Sequence, residues 1–151
     1  MLRHMAAEEA RGFRWLRPHR LSVLAEIYRQ AGQVEKGLAA ATEALALVEQ
    51  TGMCLYEVET HRVKGELLLM KGELHNAEAS FLYAVELAQK QGVKSWELRA
   101  TLSLCRLWQK QGKITQAREM LEGIYGWFTE GFDTLDLQEA GVLLEDLAER
   151  Q

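Results

Sequence analysis

Cysteine, proline and unbroken apolar sequence are all scarce in this chain, and each scarcity removes a class of protein. Two cysteines, Cys54 and Cys105, in 151 residues do not make a disulfide framework, and a reducing cytoplasm is the simplest setting. A single proline and four each of Trp, Tyr and Phe fit a helical soluble chain better than a sheet or a disordered one. No apolar run approaches the roughly 20 residues of a membrane span. Arg3, Glu8, Glu9 and Arg11 interrupt the stretch where a signal peptide needs continuous apolar residues. Charge of one sign is also lacking: a formal net charge of −4 gives no global attraction to nucleic acid or anionic lipid.

Catalytic and metal-binding patterns are missing as well. His4, His19, His61 and His75 have no metal-ligand spacing with one another or with the cysteines. No Gly-x-Ser-x-Gly elbow occurs. Cys105 reads as a close-packed inert thiol, and Cys54 has nothing near it in sequence that supports nucleophilic work. The expectation is a protein that is not an enzyme and carries no metal or cofactor.

What the chain does have is a ladder of glycines. Gly12, Gly32, Gly52, Gly72, Gly92 and Gly112 are spaced by twenty residues without a gap, and take half of the chain's 12 glycines. Glycine enters the left-handed conformation that ends many helices. The ladder therefore predicts helices of about 16–18 residues, near 18–31, 34–51, 54–71, 74–91, 94–111 and 114–128, each spanning roughly 25 Å. A last helix is expected near 134–149, capped by Thr134 or Asp136. Its outer face, with Glu139, Glu145, Asp146, Glu149 and Arg150, reads as a solvating terminus.

Alternate rungs differ, so the repeat is 40 residues and two helices long. Seven residues before Gly32, Gly72 and Gly112 stands a small residue (Ala25, Gly65, Cys105), and four before stands a large one (Tyr28, Leu68, Trp108). Five residues after come Gly37, Ala77 and Ala117, nine after Ala41, Phe81 and Leu121, and twelve after Ala44, Ala84 and Ile124. Small residues let paired helices approach closely, and large ones fill the groove between pairs. The expected architecture is all-α: a right-handed superhelix of tandem helix hairpins, three repeats over residues 18–52, 54–92 and 94–128, and a capping helix over 134–149. Residues 1–12 read as the remnant of a preceding repeat, or alternatively as a short N-terminal cap.

This small–large–Gly–Ala–aromatic–Ala order resembles the tetratricopeptide repeat, lengthened from about 34 residues. Two departures are that the proline often closing such repeats is absent, and that Ala41 stands where an aromatic is usual. More narrowly, residues 18–149 resemble the C-terminal tails of large bacterial regulators. In those, a class III nucleotide cyclase or LuxR-type DNA-binding domain precedes an AAA-like ATPase and a repeat array. The segments Lys94–Arg99 and Tyr125–Thr134 carry most of that likeness. It implies a cytoplasmic sensor or protein-interaction tail; no cyclase metal carboxylates and no phosphate loop are present to carry catalysis over.

In such arrays the first helix of each pair lines a concave groove, which implies a site for a protein or peptide partner. The groove candidates are Glu26, Arg29, Glu59, Arg62, Glu66, Arg99, Arg106 and Gln109, with Ser22, Leu69 and Leu102 beside them. Arg62, Arg99 and Arg106 suggest a basic strip for a carboxylate-bearing peptide, although Arg62 with Glu59 or Glu66 also reads as a local surface pair. The Lys-then-Asn clamp of chaperone-binding relatives is not matched. Self-association as a homodimer is the alternative, through an open first repeat exposing Leu21, Leu24, Val34 and Leu38. The aromatic cluster of Tyr125, Trp127, Phe128 and Phe132 reads either as a docking knob or as a staple for the last helix.

Overall fold

The computed structural model describes residues 17–52 and 56–150. Gly12, the expected remnant over 1–12, Cys54 and the first residues of the helix expected from 54 lie outside them. Among the described residues there are seven helices and no strand. They are α1 (Arg17–Gln30), α2 (Val34–Thr51), α3 (Glu57–Lys71), α4 (Leu74–Gln91), α5 (Lys94–Lys110), α6 (Ile114–Tyr125) and α7 (Leu135–Glu149).

The glycine ladder does what its spacing predicts. Gly32, Gly52, Gly72, Gly92 and Gly112 all have left-handed φ, between 72° and 89°. At four of these rungs the next residue donates its N–H back to a carbonyl five residues earlier, closing a Schellman turn. Gln33 donates to Tyr28, Glu73 to Leu68, Val93 to Ala88 and Lys113 to Trp108, at 2.8–3.1 Å. The large residue of each repeat is thus also the carbonyl that stops its own helix. Three of these turn residues then open the next helix by accepting from the small residue of the pattern: Gly37 to Gln33, Ala77 to Glu73 and Ala117 to Lys113.

Two boundaries differ from expectation. Helix α6 stops at Tyr125 rather than 128, because Trp127 and Phe128 donate three residues back, to Ile124 and Tyr125. Thr134 has the extended backbone of an N-cap (φ −69°, ψ 149°), yet neither it nor Asp136 supplies a capping bond: Thr134 has no side-chain cap bond, and the Asp136 carboxylate is engaged by Arg99.

The chain divides into two compact units, residues 1–80 and 81–151. In the first, Leu21, Leu24 and Ala25 of α1 bury with Ala40, Ala41 and Ala44 of α2 and with Val63 and Leu67 of α3. Tyr28, Val34, Leu38 and Leu47 pack against that cluster. This corrects the expected open apolar end: Leu21 and Leu24 are core, and Val34 and Leu38 are partly buried. Gly37 is a close approach in that packing, since a Cβ there would lie 2.7 Å from Leu67 Cδ2 and 3.4 Å from the Ala25 carbonyl oxygen.

In the second unit α5 packs on α6 and α7, and α6 on α7. Helix α5 is buried around most of its circumference, leaving Ser95, Arg99, Arg106 and Lys110 exposed. Cys105 sits at its close approach to α6, donating its thiol to the Ala117 carbonyl at 3.2 Å. Leu137, Ala140, Leu143 and Leu147 form the buried stripe of α7, at spacings of three and four.

Candidate functional site

In the first unit α1 and α3 share a polar face. Its base is the buried hydrogen bond from Thr60 Oγ1 to Ser22 Oγ at 2.8 Å, so Ser22 is an interhelix contact rather than a groove surface. Above it the five predicted residues of this unit come together. Arg29 grips Glu26 with two bonds of 2.7 Å, Nε to one carboxylate oxygen and the terminal nitrogen to the other. Arg62 Nε reaches both Glu59 oxygens at 2.9 and 3.0 Å, and a terminal nitrogen stands 3.8 Å from Glu66.

The two helices also sense each other's charges. Burial works against the Glu26 carboxylate, but bonding and charge from Arg29, helped by Gln30 and Arg62, hold its pKa below the usual range. Arg29 is raised by its bond to Glu26, against a burial penalty, with added charge from Glu26 and Glu66. Each such half-exposed pair contributes on the order of 0.2–1 kcal/mol. Three carboxylates here face two guanidiniums, so the face is not basic.

In the second unit Arg99, Arg106 and Gln109 of α5 turn toward α7. Arg99 bonds Asp136 at 3.1 and 3.2 Å, Arg106 bonds Glu139 at 2.6 Å, and Gln109 bonds Asp146. Glu139 and Asp146, expected to be solvating, are therefore partners of α5; Asp146 also takes Arg150 at 3.0 Å. Leu102, expected at the groove surface, is buried in the core. Between α5 and α7 runs a cleft of about 630 Å³ with Arg106, Gln109 and Lys110 on one wall and Gln138, Glu139 and Asp146 on the other. Leu135 and Val142, both 67% exposed, supply its apolar rim.

Three described side chains of types that do chemistry, His19, His61 and Cys105, are shifted toward their neutral forms. Burial, aided by the Lys64 charge, lowers His61 to about 4, although Glu57 lies 3.8 Å away. His19 stacks on Tyr56 with ring centres 4.0 Å apart, and burial and Arg20 lower its pKa. Burial pushes the Cys105 thiol up to about 12. Among the described residues no group of three or more His, Cys, Asp or Glu side chains is placed to hold a metal, and no helix is long and apolar enough to cross a membrane.

Within the aromatic segment one pair packs toward the last helix and the other lines a pocket. Tyr125 and Phe132 stand 5.7 Å apart, and the Tyr125 hydroxyl is 3.5 Å from where a Cβ on Gly141 would be, so this pair fastens the loop and α6 onto α7. Trp127 and Phe128 meet nearly edge-on, 5.1 Å apart at 86°, and Trp127 is 57% exposed. The latter two wall a pocket of about 490 Å³. The sequence could not divide the cluster, because hydrophobicity alone does not separate a staple from an exposed wall.

No family model and no curated protein matches the chain. Among solved structures it is similar to the nearly identical TPR-like repeats of a Podospora anserina protein described as a kinesin light chain. The TM-score is 0.74 at 18% identity, over 90% of this chain and 67% of that one. At that identity the likeness shows the fold, a tandem TPR-like helical repeat, and gives no support to the narrower resemblance to bacterial regulator tails.

Proposed function

We propose that this chain is a non-catalytic protein-interaction scaffold, the sensor or interaction portion of a bacterial signalling regulator, working in the cytoplasm. Residues 18–52, 54–92 and 94–128 are its repeats and 134–149 its cap. Its site is the face of the first helices, which receives a segment of a partner protein; nucleic acid, membrane and cofactor have no part in it. The observation that carries this reading is the assembly of Glu26, Arg29, Glu59, Arg62 and Glu66 from two helices into one half-buried polar face. Paired charges held at fixed positions by a rigid scaffold give orientation and specificity to a docking peptide. Arg99, Arg106 and Gln109, beside the cleft between α5 and α7, extend the same kind of face in the second unit.

The test is affinity capture from lysate with the wild type and with two variants, Arg29→Gln/Arg62→Gln and Arg106→Gln. Neutral glutamine avoids placing a carboxylate against Glu26, Glu59 or Glu139. A partner lost by variants that keep their helical circular dichroism supports the scaffold; a partner retained by both removes these faces from it.

Self-association remains a second reading for one reason. Val23 and Ile27, four residues apart on α1, are 40% and 48% exposed. A dimer seen by light scattering that is abolished by Val23→Asp/Ile27→Glu supports it, and a monomer at high concentration removes it.

A further inference from the structure

Residues of Lys94–Arg99 and Tyr125–Thr134 are brought together in the second unit, apart from the cleft between α5 and α7 described above. They enclose the pocket of about 490 Å³ whose floor is Leu98 and Leu137 and whose walls are Trp127 and Phe128. That volume falls within the roughly 300–1,000 Å³ of small binding sites, enough for one long side chain and the backbone that carries it. Leu98 and Leu137 are almost wholly buried, so the floor is rigid and apolar. The rim is acidic: Glu130 and Asp136 are its charged members, and no cation lines it. Asp136 is already held by Arg99. Glu130 is exposed and makes no ion pair among the described residues, so its carboxylate is available.

Two aromatic rings at 86° form a corner whose faces carry negative quadrupole charge, and such corners attract cations. The molecule gives an internal example: the Lys94 ammonium lies 5.8 Å from the Trp127 ring centre. That ammonium is neutralised by the buried Glu97 carboxylate at 3.3 Å, so it does not cancel the acidic rim.

We infer that this pocket receives an arginine side chain from a basic segment of a partner protein. The aliphatic stem lies on Leu98 and Leu137, the planar guanidinium stacks against the aromatic corner, and its fork of donors pairs with Glu130. Arginine uses every feature of the pocket at once, because its stem is apolar while its head is both flat and cationic. A purely apolar side chain leaves Glu130 unused, and an acidic one is repelled by it. The site's one link to the polar faces of the first helices is the Asp136 carboxylate that Arg99 holds.

The experiment is a titration of the ¹⁵N-labelled full chain, following the indole N–H signals of its four tryptophans. The Trp127→Phe variant assigns the signal of interest. The probes are N-acetyl-arginine methylamide and, as comparisons, the norleucine and glutamate equivalents. The arginine probe is expected to move the Trp127 signal saturably and ahead of the other three. Glu130→Gln is expected to weaken that binding roughly three- to ten-fold, as loss of a charge-assisted bond to a partly exposed cation should. Both substituted side chains are on exposed positions, and circular dichroism confirms that each variant stays folded. Equal response to norleucine, no change in Glu130→Gln, or a Trp127 signal that never moves would each overturn the assignment. Any of these leaves the reading of the first-helix faces intact, since those are tested by capture.

Discussion

Gly37 and Gly123 both lie within helices, and a methyl group added at each should have opposite effects. Replacing a mid-helix glycine by alanine normally stabilises by about 0.5–1 kcal/mol, because the unfolded chain loses freedom. Gly123 is exposed and nothing stands within 4 Å of a Cβ there, so Gly123→Ala should gain that amount. At Gly37 the new atom would lie 2.7 Å from Leu67 Cδ2 and 3.1 Å from Cδ1. Leu67 is 0% exposed, so its methyls have nowhere open to turn. Overpacking of this kind costs about 1–3 kcal/mol, which outweighs the helix gain and leaves a net loss of about 1 kcal/mol. Urea titration followed by far-ultraviolet circular dichroism measures both. The Leu67→Ala background supplies the cross-check. There the clash is gone, so Gly37→Ala should become neutral or stabilising, a coupling of about 1 kcal/mol or more. If Gly37→Ala stabilises the wild-type chain as much as Gly123→Ala does, the close packing of α2 on α3 argued above is wrong.

The same titration at Gly72 separates backbone from space: its φ of 89° has open surroundings, and Gly72→Ala should still lose about 1 kcal/mol through the left-handed conformation alone. Because His61 titrates near 4 in the fold and near 6.5 when unfolded, the unfolded chain binds the extra proton between those values. Stability is therefore full above about pH 6.5, falls as pH drops toward 4 and then levels off. Allowing for partial solvent access, about 1–2 kcal/mol should be lost, and urea midpoints across that window should be flatter in His61→Gln; parallel curves would contradict it. Cys105, at 0% exposure and with its pKa near 12, should resist a thiol reagent in the native Cys54→Ser chain and react once urea unfolds it. Prompt native labelling would show that α5 and α6 open far more readily than their packing implies.

The repeat was legible because its signal is covalent and local. A left-handed glycine, a large residue four before it and a small one seven before it describe a single helix end, and three copies make chance unlikely as an explanation. Fourteen of the fifteen residues at the five recurring positions are buried, Tyr28 alone being intermediate. What stayed hidden depends on which element covers a helix. Leu102 lies three residues from Arg99 and reads as the same face, but α5 is enclosed so widely that only a narrow strip remains at the surface. Leu21 and Leu24 read as an open end, yet α2 and α3 cover them and leave Val23 and Ile27 outside. The acids of α7 looked solvating because no sequence period reveals that Arg99 and Arg106 stand opposite them. Thr134 has the right residue type and backbone for a cap but lacks the bond.

The ion pairs also change what a basic strip can mean in this protein. Arg62, Arg99 and Arg106 read as a basic strip, and each is engaged by a carboxylate of the chain itself, Glu59, Asp136 and Glu139, as Arg29 is by Glu26. A partner carboxylate arriving at any of them must displace a bond already made, so it exchanges one ion pair for another and gains little net energy. Long-range attraction is weak for the same reason, since each guanidinium field is largely cancelled within a few ångströms. Under the proposed function, affinity at the cleft between α5 and α7 would draw on apolar contact with Leu135 and Val142. The paired arginines hold side chains at fixed positions and so set the register of whatever binds. Glu130, with no ion pair among the described residues, differs in kind: a cation reaching it forms a new pair without breaking an old one.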